Sequence, residues 1–155
     1  VKKALLTSSL WSPINAGPFA DPTSRDLLRA AIQSVRERHP FDILAFVLLP
    51  DHLHCIWTLP ENDDDFPKRW QQIKGRFSHD YMSAGGRDRA TTVQHHQQKR
   101  RGIWQPRYWE HRLRDEADYF RHRDYIHLNP VKHGYVENPG EWPGSNPVDL
   151  PDVDE

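Results

Sequence analysis

Two apolar runs rich in β-forming residues dominate the first half of the chain, Phe41-Asp42-Ile43-Leu44-Ala45-Phe46-Val47-Leu48-Leu49 and then His52 to Leu59, with Pro50-Asp51 between them. Such runs joined by a two-residue connection predict a β-hairpin. On either side of the hairpin the apolar period lengthens to that of a helix. Leu28, Ala31, Ile32 and Val35 follow Asp21-Pro22, a capping residue and a proline at the first helical position, and Pro40 ends the run. A helix over about 22–38 is expected. Trp70, Ile73, Phe77 and Tyr81 form a second stripe behind a capping Asp65, with Lys68, Arg69, Lys74 and Arg76 off it. That pattern predicts a helix presenting cations to solvent.

Beyond residue 83 the periodicity disappears. Residues 84–101 contain Gly85-Gly86 and the polar run Gln94 to Arg101, which predicts a mobile loop. Ile103 to Leu113 reads as a further strand, and Asp115 can cap a third helix reaching to about Leu128. Pro130 limits that helix, because a residue before proline avoids the α region, so Asn129 is placed at or just past its end. Residues 134–155 are punctuated by Gly and Pro and read as an irregular tail pinned by Tyr135 and Trp142. With Ala4 to Ser9 as an edge or opening strand, the order predicts one α+β domain over residues 1–133. Its architecture is a ferredoxin-like antiparallel sheet with helices on one face.

Composition adds the compartment and the class of partner. No apolar run approaches the ~20 residues of a membrane helix, and the first ten residues lack the layout of a secretory signal, so neither membrane nor export is expected. The lone Cys55 cannot form an internal disulfide, and the Cys pairs of a structural zinc site are missing, which suits a reducing cytoplasm. The formal net charge of −1 conceals an asymmetry. Residues 66–133 carry fifteen Lys and Arg against seven acids, while Asp149, Asp152, Asp154 and Glu155 crowd the end. A basic middle of this kind fits a polyanion-binding surface as well as it fits a solvated charged one.

The candidate chemistry begins with His52-Leu53-His54. Alternate residues of a strand share a face, with Cα atoms ~6.6 Å apart, so two imidazoles there can share one cation. The plain alternative is a pair of exposed polar residues on a solvated face. Leu53, Cys55 and Trp57 then point into the helix layer, which makes Cys55 a core residue rather than a nucleophile. Tyr125 and Asn129, four residues apart, can share one helix face if the helix persists that far. Asn offers a carbonyl oxygen to a metal and Tyr a hydroxyl, although packing roles would serve as well. The adjacent His95-His96 pair lacks the spacing of a zinc site.

Three segments taken together resemble a known family. PDHLH within Phe46 to Pro60, then WQQIKGRFS, then IWQPRYWEHRLRDEADYFRHRDYIHLNPVKHG resemble the REP-associated tyrosine transposases, relatives of the single-tyrosine insertion-sequence transposases in the HUH superfamily. The resemblance covers about residues 23–145 and rests on the ordered combination of motifs. Between Ser12 and Pro18 the chain is more broken by Pro and Gly than the family's opening.

What the resemblance implies is specific. His52 and His54 would be metal ligands with Asn129 as the third, the cation Mg²⁺ or Mn²⁺, and Tyr125 the nucleophile of a metal-dependent single-strand DNA endonuclease and strand transferase. The substrate implied is hairpin-forming repeats with a flanking guide sequence, cut through a covalent 5′-phosphotyrosine intermediate. The setting would be the bacterial cytoplasm at the nucleoid, with the protein a monomer or homodimer. Lys68, Arg69, Lys74, Arg76, Arg112 and Arg114 would contact phosphates, and Trp109 would stack unpaired bases. Histidines must be neutral to ligate, so activity should fall below pH ~6.5. His122, His127 and a water at the cation are each open as the general base. The alternative is a non-catalytic regulator that binds single-stranded DNA on the same fold.

Overall fold

In the computed structural model the described residues are 4–10, 21–50, 52–85, 104 and 109–142, with 4–10 and 109 described by their backbone. The expected break at Ser12 to Pro18, most of the expected loop, His95-His96, Ile103, residues 105–108 and the tail beyond 142 lie outside them.

The elements follow the expected order. Strands β1 (Ala4–Leu10), β2 (Asp42–Leu48), β3 (His52–Thr58) and β4 (Trp109–Arg112) alternate with helices α1 (Pro22–Arg38), α2 (Phe66–Ser83) and α3 (Glu116–Lys132). A 3-10 turn at Pro139–Glu141 follows. The caps are those the sequence announced: the carboxylates of Asp21, Asp65 and Asp115 accept the backbone N–H groups of Thr23, Lys68 and Asp118. Each satisfies a donor that the first helical turn would otherwise leave unpaired.

The four strands form one antiparallel sheet in the order β2-β3-β1-β4, the ferredoxin-like arrangement. The opening strand is therefore interior and not at an edge. The hairpin closes with Leu49 N–H donating to the His52 carbonyl at 2.8 Å, and a bulge between Ile43 and Ala45 leaves Leu44 as the extra residue of β2. Because a bulge inverts the alternation, Ile43 stays with the Trp57 side while Ala45 and Val47 take the other.

The two sheet faces are covered differently. On one, α1 and α2 close over Leu53, Cys55, Trp57, Phe46 and Leu48, with Leu28, Ile32, Trp70, Ile73 and Phe77 completing the main core. Each large side chain buried there contributes roughly 1.5–3 kcal/mol. On the other face, Ala45, Val47, Leu49 and Ile56 pack against Ile126 of α3, with Trp142 alongside. The two earlier helices share one face as expected, but α3 does not join them. All seven residues of β3 are buried as a result.

The end of α3 differs from expectation. Asn129 is helical and the helix continues through Pro130 to Lys132. Proline in the last turn forfeits one backbone bond, and burial of Ile126, Asn129 and Pro130 together with a closing cap holds the turn in place. That cap is a Schellman motif: Gly134 N–H donates to Val131 O and Tyr135 N–H to Pro130 O, both at 2.9 Å, with Gly134 at φ +75°. The chain past 134 is pinned by Trp142, whose indole N–H donates to Leu48 O at 2.8 Å and whose ring stacks on Tyr135 at 5.1 Å.

Candidate active site

His52 and His54 sit on the α3 side of β3, 7% and 8% exposed, their ring centroids 4.9 Å apart. A pair on a solvated face would be far more open. The register that pairs Val47 with His54, and His54 with Ser8, puts His54 in the centre of the sheet. Because α3 persists past Pro130, Tyr125 and Asn129 share its sheet-facing side. The Tyr125 ring lies 5.5 Å from that of His54, and 42% of the residue remains exposed. Asn129 is fully buried, and neither its amide oxygen nor its amide nitrogen has a hydrogen-bond partner.

An orphaned buried amide costs free energy of the order of 1–3 kcal/mol, and such a group in a folded core needs a reason. A cation is a fitting one, since two imidazoles and an amide oxygen make a neutral donor set to which a divalent ion brings all the charge. The imidazole of His54 is pushed down from its ordinary value to about 4, first by burial and then by the nearby His52 and His133. It is therefore neutral and able to ligate well below the pH ~6.5 at which an ordinary histidine charges. The expected loss of activity near that pH does not originate at His54.

Two residues not singled out from sequence complete the surroundings. The ring of His133 stands 5.4 Å from that of His52, and the ammonium of Lys132 lies over the Tyr125 ring at 5.2 Å. Positions 125, 129, 132 and 133 share one side of a helix, a signal obscured by ending α3 too early.

Among known proteins, the chain is 48% identical over 123 residues to the REP-associated tyrosine transposase of Escherichia coli strain K12. It is 41% identical over 118 residues to a Haemophilus influenzae protein named as a REP-associated tyrosine transposase of the same kind. The matches take in 79% and 76% of this chain but 64% and 65% of those relatives' lengths, so it spans less than two thirds of either. No family model matches it. A solved structure of a REP-associated tyrosine transposase bound to a REP hairpin superposes with a TM-score of 0.72 at 40% identity, over 96% of this chain and 78% of that one. The chain belongs to the REP-associated tyrosine transposase family.

In this member of the family the expected DNA contacts do not gather round the histidines. Arg69 is 3% exposed and donates to both carboxylate oxygens of Asp63, at 3.0 and 2.7 Å, and to the carbonyls of His39, Pro40 and Asp65. It ties α2 to the end of α1, and its hold on Asp63 lowers that carboxyl to about 2. This is a correction to its expected exposure. Lys68, Lys74 and Arg76 lie on α2, across the sheet from His54; Lys74 stands over Trp104 at 5.7 Å and Arg76 pairs with Asp80 at 3.1 Å. Arg112 is exposed and pairs in register with Leu5, itself opposite Trp57, on the α1–α2 side. Residue 109 pairs with Ser8, in the same row as His54.

A second histidine cluster lies nearer the start of α3. Asp118, buried, accepts from His111 Nε2 at 2.8 Å, Arg114 N at 3.0 Å, Arg114 Nε at 3.5 Å and Arg121 Nη2 at 3.1 Å. His122 Nδ1 lies 2.8 Å from the Asp118 carbonyl. The ligand atoms of His111, Asp118 and His122 lie within 4.8 Å of one another, a spacing a metal could use. The hydrogen bond from His111, then that from the Arg114 backbone, hold the Asp118 carboxyl far below the usual range. With those partners on its oxygens the carboxylate is already neutralised, and the cluster acts as a staple between β4 and α3. Among the described residues no helix is long and apolar enough to cross a membrane.

Proposed function

We propose that this chain is a metal-dependent single-strand DNA endonuclease and strand transferase that acts on hairpin-forming repeats with a flanking guide sequence. The observation that carries this reading is that one side of α3 brings the exposed ring of Tyr125 to His54 and His133 to His52, with the fully buried, unpartnered Asn129 between those two positions on the helix. Membership of the family, and the hairpin bound to a relative at 40% identity, support DNA as the substrate.

His52, His54 and Asn129 would hold Mg²⁺ or Mn²⁺, which when bound supplies polarisation of a phosphodiester and fixes its position. The phenolic oxygen of Tyr125 forms the new bond to phosphorus while the bond to the 3′ oxygen breaks. The 5′ phosphate stays on Tyr125, the phenol gives up its proton, and the departing 3′ oxygen gains one. Phenoxide is also a fair leaving group, so an incoming 3′-hydroxyl can reverse the step on the same strand or on another without ATP. Lys132, over the Tyr125 ring, adds a cation of the sign a phosphate requires at the nucleophile. Residue 109, in the row of His54, and Arg114, in the connection between β4 and α3, remain the best placed of the expected DNA contacts; the setting proposed is the bacterial cytoplasm.

The test is incubation with labelled single-stranded hairpins and Mn²⁺ or Mg²⁺, resolved on denaturing gels. A protein–DNA adduct is expected that disappears with chelator and with Tyr125→Phe. Tight binding without any adduct would replace this reading with that of a non-catalytic DNA-binding regulator.

A further inference from the structure

The Schellman cap of α3 positions an aromatic ring beside the site that the reaction proposed above does not use. Tyr135 is the residue after Gly134, and its N–H bond to Pro130 O fixes its backbone to the helix carrying Tyr125 and Asn129. Its ring stacks on Trp142 at 5.1 Å with an interplanar angle of 30°, and Trp142 is itself anchored to Leu48 O. On the way to the metal site stands His133, 6.2 Å from Tyr135 and 5.4 Å from His52. Despite these contacts Tyr135 is 45% exposed.

A large ring held by a cap on one side and an anchored indole on the other loses little freedom when something stacks on it. Rigid, partly exposed aromatics next to a phosphate-binding centre are the means by which proteins take hold of unpaired bases. Through His133 the Tyr135 ring lies no more than about 12 Å from that of His52, a span that about three stacked nucleotides at about 3.4 Å each would cover and that fewer would cover in an extended strand. We propose that Tyr135 is a stacking platform for an unpaired nucleobase within about three nucleotides of the phosphodiester held at His52 and His54. The proposal rests on the single-strand DNA reading above and adds to it the place where the strand is gripped.

The experiment measures binding of single-stranded oligonucleotides by fluorescence anisotropy, using the full chain with Tyr125→Phe to prevent cleavage. An abasic nucleotide is scanned through the strand. Tyr135→Leu keeps an apolar contact at the cap and removes the π-face; Tyr135→Trp keeps the face. Tyr135→Leu should weaken binding about 5- to 150-fold and Tyr135→Trp should hardly change it. An abasic site at one position should weaken the parent protein and leave the Leu variant unaffected. If the parent binds while the Leu variant binds equally well, or loses affinity evenly across the scan, the platform is overturned and the nuclease reading stands. If the parent binds no single strand at all, the DNA reading fails and the platform falls with it.

Discussion

Two histidine pairs lie along the side of the sheet that faces α3, and they differ in what they surround. His111 and His122 flank a buried carboxylate, Asp118, whose oxygens are taken up by an imidazole, a backbone N–H and the guanidinium groups of Arg114 and Arg121. His52 and His54 meet His133 and Tyr125 on the side of α3 that also carries Asn129, a neutral amide whose side-chain atoms have no hydrogen-bond partner. The first cluster carries its own counter-charge and is complete as a structural staple. The second is a set of neutral side chains that includes an unpartnered amide, and a cation would satisfy that amide. Spacing alone does not identify a metal site: the ligand atoms of His111, Asp118 and His122 lie within 4.8 Å of one another, yet the electrostatics of that cluster are already closed.

The largest effect that could break this contrast is on metal affinity and chemistry. His54→Ala should lower Mn²⁺ affinity, read by calorimetry, and reduce adduct formation by about 100-fold or more. His111→Ala should leave Mn²⁺ affinity within the error of the titration. Equal losses from both would make the staple a metal site as well.

Stability of the metal-free protein should respond in the opposite sense. Asn129→Leu removes two orphaned polar atoms and should stabilise the fold by about 1–2 kcal/mol, provided the larger side chain is accommodated. Asp118→Asn should lower the melting temperature, because it leaves the staple's donors facing a neutral group. Asn129→Leu destabilising the metal-free chain as much as Asp118→Asn would mean that the amide has a structural role in the core.

The pH dependence separates the clusters again. His54 has a folded pKa of about 4, below its ordinary value, so between these values the unfolded chain binds more protons. Stability of the metal-free protein should therefore be full above pH ~6.5 and fall towards pH 4, by about 3 kcal/mol, from this group. Asp118 is depressed also, but for a carboxylate the loss comes only below the ordinary Asp range, as the pH falls towards its folded value. Urea melts of the parent and His54→Ala from pH 7 to 4 isolate the first contribution; a pH slope unchanged by the substitution would show that His54 does not titrate there.

The elements were legible because their signals are local. Caps at Asp21, Asp65 and Asp115, stripes at helical spacing and the Pro50-Asp51 connection each act within a few residues. The sides they take depend on packing between elements, and there the expected single layer of helices holds for α1 and α2, while α3 covers the second face. Arg69 shows a different limit. It lies four residues before Ile73 and three after Phe66, on the buried stripe by spacing, but its charge suggested solvent. The desolvation is offset by Asp63 and three carbonyls that come from the turn before α2 and the end of α1. At the site, the histidine pair and the Tyr125–Asn129 spacing were readable. His133 and Lys132 were not, because Pro130 signals a helix end, and it is tertiary burial and the Gly134 cap that carry the last turn past it.

The smallest effect concerns which face the DNA follows. Lys132 stands at Tyr125, whereas Lys68 and Lys74 lie across the sheet on α2. A lysine that contacts a phosphate contributes about one unit to the slope of log affinity against log salt. Lys132→Ala should therefore reduce that slope by about one for a hairpin with single-stranded flanks, and Lys68→Ala should leave it unchanged. A reduction of similar size from Lys68→Ala would mean that the strand wraps round the sheet edge to the α1–α2 face. In that case the positive surplus of residues 66–133 would work as one continuous track. If the slope falls for Lys132 alone, the cations of α2 form a solvated surface, and recognition is concentrated on the side where the histidines, Tyr125 and Tyr135 meet.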